Sequence, residues 1–314
     1  MDQYDFIVIG AGVTGLAGAM YSARLGMKTL VLGKSHGSEM PIGGVITTTN
    51  VVENYPGFGS ISGTELAEKI EKQAREYEDV EIRKEKVVEV KKEKSGFLVK
   101  TEKKEYLGKT VLFATGTKVK RLPETVVGGR EYENRGVAYC ALCDGVLYKG
   151  KIVAVIGGSD SAIKDAMVLA EHAKKVYIIY RGEKVRAEPV NLKSVERNEK
   201  IEIVNNTNVT EIFGKGVVEG VVLDKAYKGK KELNVSGVFV AIGHEVLSEL
   251  ASEMGVKVNE NKEIIINHKT SETNIPGVYA AGDVTDKGFK QAITGVADGC
   301  TAAYSAFEYQ KIID

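Results

Sequence analysis

The residues best suited to chemistry in this 314-residue chain are Cys140 and Cys143, in Cys140-Ala141-Leu142-Cys143-Asp144. Three-residue spacing on a helical turn brings two sulfurs within disulfide reach. A helix N-terminus lowers a thiol pKa, in such motifs to about 7 or below. The thiolate so favoured is what dithiol exchange requires. A structural pair, or half of a zinc site, would use the same spacing. Zinc needs two further ligands. The remaining Cys300 and the histidines His36, His172, His244 and His268 stand singly, without metal-ligand spacing, so no metal is expected. Cys300, in Asp298-Gly299-Cys300, reads as a small buried packing residue, and the histidines as surface or ordinary core residues. No Ser/His/Asp or paired-carboxylate arrangement stands out.

A second kind of site is written in glycine. Tyr4-Asp5-Phe6-Ile7-Val8-Ile9 runs into Gly10-Ala11-Gly12-Val13-Thr14-Gly15 and then into a small-residue stretch, Leu16 to Ala23. The apolar run reads as a buried strand. The glycines permit a tight turn and a close approach to a pyrophosphate, and the next helix points its free N–H groups at the phosphates. Met27 to Leu32 reads as the next strand. The pattern recurs: Lys151 to Ile156, then Gly157-Gly158-Ser159-Asp160-Ser161-Ala162, a helix with Ala162, Ala166, Leu169 and Ala170 on one face, and the strand Val176 to Ile179.

Each copy continues alike. Val87 to Val90 and Phe97 to Val99 flank Ser95-Gly96, a hairpin signal, before Val111-Leu112-Phe113-Ala114 ends in Thr115-Gly116. The apolar runs Val217-Val218 and Val221-Val222-Leu223 lead to Val238 to Gly243. A third element, Ile275 to Asp283, belongs to neither copy. If it completes the first domain, that domain is split around the second, with Gly116-Thr117-Lys118 and Gly243-His244-Glu245 as the crossings. The expectation is an α/β protein of two Rossmann-like three-layer dinucleotide-binding domains, the second inserted into the first: 1–117 with 245–314, and 118–244.

Composition fits an ordinary globular chain, with 43% hydrophobic and 27% charged residues. Glycine is frequent, 35 of 314, against a usual ~7%. Lys+Arg and Asp+Glu are both 43, which argues against nucleic acid or an anionic membrane as partner. No apolar run approaches the ~20 residues of a membrane span, and the N-terminus does not resemble a signal peptide. A reducing cytosol is the expected compartment, where a paired cysteine motif is more often catalytic or metal-binding than structural.

A dithiol beside dinucleotide domains implies two-electron traffic. A nicotinamide hydride reduces a disulfide poorly by itself, whereas a flavin bridges the two chemistries. The whole chain resembles the low-molecular-weight thioredoxin reductases, FAD- and NADPH-dependent flavoproteins. The resemblance rests on Gly10 to Gly15, Gly43-Gly44-Val45-Ile46-Thr47-Thr48-Thr49, Val52-Glu53-Asn54-Tyr55-Pro56-Gly57, Cys140 to Asp144, Phe239 to His244, Gly282-Asp283 and Gln291-Ala292-Ile293, in the family's order. It implies FAD contacts from Gly10, Gly12, Gly15, Gly43, Gly44, Val45, Thr48, Asn54, Thr115, Gly116, Asp283, Lys290, Gln291 and Ala292. It implies nicotinamide contacts from Gly157, Gly158, Ser159, Asp160, Ser161, Arg181 and Arg186. It also implies that Cys143 takes electrons from the flavin, that Cys140 attacks the disulfide of thioredoxin or a similar small protein, and that Asp144 moves the proton. A homodimer whose inserted domain rotates against the FAD domain is implied too.

Several positions depart from the pattern. The family's His-Arg-Arg, which grips the adenosine 2′-phosphate, is Tyr180-Arg181-Gly182 here. A hydrogen bond to a charged group contributes roughly 1.5–3 kcal/mol, so losing one guanidinium weakens 2′-phosphate preference by about ten- to a hundredfold. Arg181, Arg186 and the intervening Lys184 remain to recover part of it. Ser159 replaces a fingerprint glycine, Lys164 a common glutamate, Val45 a glutamine and Lys290 an arginine. NADPH is the leading donor; NADH, reduced ferredoxin or reduced deazaflavin stays open, as does a flavin-binding redox sensor without turnover.

Overall fold

The computed structural model describes residues 2–34 and 41–313; His36 lies outside them. The chain forms two compact units, one of 1–118 with 246–314, the other of 119–245.

The first unit begins with β1 (Asp2–Ile9), α1 (Val13–Arg24), β2 (Thr29–Lys34), α2 (Gly63–Arg75), β3 (Val80–Glu93), β4 (Gly96–Thr101) and β5 (Glu105–Phe113). The chain leaves it through β6 (Thr117–Val119). The second unit holds β7 (Val137–Ala138), α3 (Ala141–Asp144), β8 (Ile152–Ile156), α4 (Asp160–His172), β9 (Lys175–Ile179), α5 (Pro189–Glu196) and β10 (Ile201–Val204). It ends with β11 (Val209–Gly214), β12 (Val218–Tyr227), β13 (Lys230–Asn234) and β14 (Gly237–Val240). The return crossing is β15 (His244–Val246), followed by α6 (Glu249–Glu253), β16 (Val278–Ala280) and α7 (Ala292–Ile313). The crossings β6 and β15 pair with each other.

In the first unit β5, β1, β2 and the start of β3 run parallel, and β16 adds beside β5. The far half of β3 turns antiparallel against β4, which pairs with the start of β5. Strand alternation then divides β1 between two cores. Phe6 and Val8 pack with Leu16 and Ala19 of α1 and Ala302, Ala303 and Ala306 of α7. Ile7 and Ile9 pack with Val87, Phe97 and Tyr106 on the antiparallel side. The element 275–283 contributes β16 to this sheet, as a parallel neighbour of β5.

The second unit repeats the plan with a parallel sheet ordered β10-β9-β8-β14-β7 and an antiparallel layer β11-β12-β13. Val153 and Val155 face Ala162, Ala166 and Leu169 of α4; Ala154 faces the other layer with Ile212 and Val221. The runs at Val217-Val218 and Val221 to Leu223 are not separate strands. Val217 is exposed at the turn before β12, and the rest belongs to that one strand.

Glycine allows α1 and α7 to cross at backbone distance. A Cβ at Gly299 of α7 would lie 2.1 Å from the Thr14 carbonyl oxygen, and one at Gly18 of α1 would lie 3.1 Å from that of Gly299. Gly299→Ala is therefore expected to destabilise, because overpacking costs ~1–3 kcal/mol and exceeds the ~1 kcal/mol that alanine returns in a helix. Gly288→Ala, with nothing within 4 Å of the added carbon, is expected to leave stability nearly unchanged. Urea unfolding of the two variants compares them.

Candidate active site

The first glycine turn is held by backbone contacts that exclude side chains. Gly10 has φ +113°, and a Cβ there would meet the Ala114 carbonyl oxygen at 2.3 Å; at Gly15 it would meet the Gly10 oxygen at 2.0 Å. Gly12 differs. It caps α1 with no side-chain cap and no acidic residue in the first turn, and an added Cβ would find nothing closer than 3.8 Å. Helix N–H groups without a side-chain cap are the kind of terminus that suits an anion.

Three contacts bring distant residues of this unit to that turn, and others tie further predicted residues together. The Gly43 N–H donates to the Ala11 carbonyl at 2.7 Å. Gly43 and Gly44 take φ +103° and +72°, and a Cβ on Gly44 would stand 3.1 Å from the Gly12 Cα. Val45 and Thr48 follow in one 3-10 turn, where the Thr48 hydroxyl donates to the Val45 carbonyl at 2.8 Å. A Cβ on Gly282 would lie 2.6 Å from the Thr14 hydroxyl, so Asp283 sits one residue from the turn's flank. The Asn54 side-chain amide donates to Gln291 at 3.1 Å across 237 residues of sequence, just before Ala292 opens α7. The Lys290 ammonium donates to the Asp283 carbonyl at 3.1 Å and pairs with Glu263. Thr115 is buried and its hydroxyl donates to the Leu247 carbonyl at 2.6 Å. Gly116 turns beside it at φ +62°.

Thr14 and Glu263 were not among the predicted contacts. Glu263 has no local pattern to reveal it: its value comes from Lys290, 27 residues on. Burial pushes its carboxyl up, but Lys290 and Asn259 hold it below the ordinary carboxylate range.

The second turn is closed over. Gly157 has φ +147°, and a Cβ there would strike the Ala241 carbonyl oxygen at 2.2 Å. Gly158 lies under the Tyr180 ring, 2.3 Å from where its Cβ would stand. Ser159 caps α4 without a side-chain bond and bridges to Arg186. The Asp160 carboxylate accepts from the Glu188 N–H and Asn191 amide, each at 2.9 Å, and pairs with Lys164 at 2.8 Å. Burial raises the Asp160 pKa, yet Lys164, Asn191 and Glu188 bring it below the usual range. Its charge is thus committed to Lys164, Asn191 and Glu188. Ser161, Arg181, Lys184 and Arg186 are exposed.

The cysteines are joined as a Cys140–Cys143 disulfide with Cα atoms 5.3 Å apart. Cys140 is the N-cap of α3, and the Cys143 N–H donates to its sulfur at 3.1 Å. Ala141 is buried in the core that α4 shares, while Cys143 is exposed; Asp144 closes the short helix. The approach is fixed by Tyr139, whose hydroxyl donates to Glu133 at 2.7 Å and accepts from the Leu122 N–H at 3.3 Å. Burial and then Glu133 push that phenol up to about 12. Leu142 of the helix, and Val146 and Leu147 just after it, are exposed. Nearby, Arg135, Leu147, Tyr148, Lys151, Val217 and Glu219 line a groove of about 530 Å³.

The free thiol Cys300 is half-buried rather than fully buried, and burial pushes its pKa up. His244 and His268 are exposed and His172 is half-buried. Among the described residues no group of three or more His, Cys, Asp or Glu converges to hold a metal.

Residues 4–299 match the pyridine nucleotide-disulphide oxidoreductase family. The chain belongs to that family. It is 37% identical over 308 residues to the thioredoxin reductase of Bacillus subtilis, covering 98% of this chain and 94% of the relative. The thioredoxin reductase of T. acidophilum superposes with a TM-score of 0.91 at 36% identity, with both chains fully covered. That of Lactococcus lactis does so at 0.90 and 34% identity, over 98% of each. Within the family, the chain is an oxidoreductase of the thioredoxin reductase group.

Asp165 of α4 went unremarked in the sequence. It is buried enough that its carboxyl is pushed up to about 7, with burial the sole cause. An acid raised on folding binds more protons folded than unfolded, so stability falls as pH rises from about 4 to about 7 and is level above. Asp165→Asn is expected to raise the melting temperature more at pH 8 than at pH 5; equal gains would contradict the burial.

Proposed function

We propose that this enzyme is a thioredoxin-disulfide reductase. FAD is held by 1–118 with 246–314, NADPH by 119–245, and a thioredoxin or similar small dithiol protein is the substrate. It works as a homodimer in a reducing cytoplasm. Among the described residues, no helix is long and apolar enough to cross a membrane. The observation that carries the reading is a cysteine pair at the head of a helix in the unit with the second glycine turn, while the first unit offers a glycine turn whose helix has no side-chain cap.

That first turn suits a dinucleotide. The N-terminus of α1 and Gly44 would receive the pyrophosphate, Asp283 the ribityl chain, and the Asn54–Gln291 contact would hold the ring-side loop. A flavin bound there supplies two-electron transfer between a nicotinamide hydride and a sulfur bridge.

The chain's own sulfurs do the exchange. Once the bridge is reduced, the Cys143 N–H aimed at the Cys140 sulfur favours its charged form, since a hydrogen bond to an anion lowers its pKa. Cys140 is therefore the attacking thiolate. It forms a mixed disulfide with one partner sulfur, and the other partner sulfur leaves as a thiolate and takes a proton. Cys143, its proton passed to Asp144, then attacks the Cys140 sulfur and re-forms the Cys140–Cys143 bond, displacing the partner sulfur bound there, which takes the proton back from Asp144. The partner departs as a dithiol. Exposed Leu142, Val146 and Leu147 beside the bridge give an apolar seat for a protein, and Arg135, Lys151 and Glu219 supply polar contacts at its margin.

Anaerobic NADPH is expected to bleach the flavin of both the native enzyme and Cys140→Ser, whereas only the native enzyme turns over thioredoxin. Coupled assays should show a loss beyond about a thousandfold in Cys140→Ser, the scale seen when a covalent nucleophile is removed. Retained turnover, or a purified protein that binds no FAD, would sink the reading.

A further inference from the structure

The two glycine turns differ in one physical respect. At Gly12 an added Cβ would make only ordinary contacts, with the Gly43 oxygen at 3.8 Å and the Gly44 Cα at 4.0 Å, whereas the Tyr180 ring lies on Gly158. The ring also lies on Gly182: a Cβ there would stand 2.6 Å from ring carbon and 2.8 Å from the phenol oxygen. Tyr180 is thus seated between two α-carbons that carry no side chain.

This location matters for nucleotide choice. In a dinucleotide fold, the residues closing the second strand, about 20 after the glycine turn, meet the adenosine ribose. An acid there accepts the 2′-hydroxyl, and an arginine receives a 2′-phosphate. Here β9 closes at Ile179 and Tyr180-Arg181-Gly182 follows. The segment is pinned by backbone bonds. The Tyr180 N–H donates to the Val204 carbonyl at 2.9 Å, the Asn206 N–H to the Gly182 carbonyl at 2.9 Å, and the Arg186 N–H to the Gly158 carbonyl at 2.6 Å. The backbone at 182 therefore has little room to retreat from a side chain.

Resting on the reading of this unit as the nicotinamide site, we infer that Tyr180 and Gly182 act as one specificity-determining pair. The ring covers the glycine that a pyrophosphate approaches, and it forbids a side chain at 182. A cation cannot be added there while the ring keeps its seat. The 2′-phosphate is left to the exposed Arg181, Lys184 and Arg186, with Glu183 among them to offset their charge. The result is weak nucleotide binding with a small preference for the phosphorylated form.

The test is equilibrium binding of NADP⁺ and NAD⁺ to the oxidised, FAD-loaded enzyme by calorimetry, with flavin absorbance confirming the fold of each variant. Tyr180→Ala is expected to tighten both nucleotides about tenfold without changing their ratio. Gly182→Arg alone is expected to change the ratio less than about threefold. The double variant is expected to raise NADP⁺ preference by about ten- to a hundredfold, the range of one charged hydrogen bond. Gly182→Ala adds only the carbon that meets the ring, and a shift in both affinities on that change supports the same contact. A full gain of preference from Gly182→Arg alone would show that ring and side chain do not compete and would overturn the pair. So would weaker binding of both nucleotides in Tyr180→Ala, which would make the ring a platform. Should neither nucleotide bind any variant, the nucleotide assignment of this unit falls and takes the pair with it, while the FAD and dithiol assignments remain open to their own assays.

Discussion

Backbone-to-backbone contact without intervening side chains is the constraint on which the molecule rests. Gly15 sits against the Gly10 oxygen, Gly299 against the Thr14 oxygen, and Gly157 against the Ala241 oxygen. Each contact leaves no volume for a methyl group. The first two hold α1 and α7 against the turn at Gly10, which Gly43 and Gly44 also approach. Part of the glycine content thus follows from how near the chain approaches itself, and part from open turns at positive φ such as Gly150 and Gly255.

The second unit uses the same geometry for a different end. Its turn is tight at Gly157, but the space above Gly158 is filled by the unit's own aromatic ring, and the nearby carboxylate of Asp160 is tied to neighbouring groups. Beside this self-satisfied turn the redox helix is short and largely uncovered. Cys140 is held on both sides, by the Tyr139–Glu133 contact before it and by the packing of Ala141 after it. The chemistry therefore lies on a segment whose backbone is fixed and whose far side is left to solvent.

Much of the fold was legible because it is local. Apolar runs ending in glycine gave the parallel strands, and Ala162, Ala166, Leu169 and Ala170 gave the buried face of α4. The helix α2 was passed over although Ser62 and Glu65 carry its start signal, the Ser62 hydroxyl accepting from the Glu65 N–H at 3.1 Å. One strand was read as two runs because Gly220 interrupts the apolar pattern of β12, where it makes room for the Phe213 ring. The cysteine pair was legible from spacing alone. The Glu263–Lys290 pair and the seat of Tyr180 were not, since each joins residues whose relation exists only after folding. Gly182 looked like a missing arginine in the sequence; beside the Tyr180 ring it is the residue that ring requires.

The pairing of β6 with β15 has a topological consequence. Entry and exit of the inserted unit are neighbouring strands: the Lys120 N–H donates to the Gly243 carbonyl at 3.0 Å, and the Leu247 N–H to the Gly116 carbonyl at 3.0 Å. Every strand of the first sheet closes without help from 119–245. Excision of that stretch and ligation of the stumps through a tight turn would shorten the loop to be closed, and closure entropy favours the shorter loop. The insertion is in this sense a cassette, an appendix to a host that keeps its own architecture, and such a junction is where gene fusion could trade one module for another.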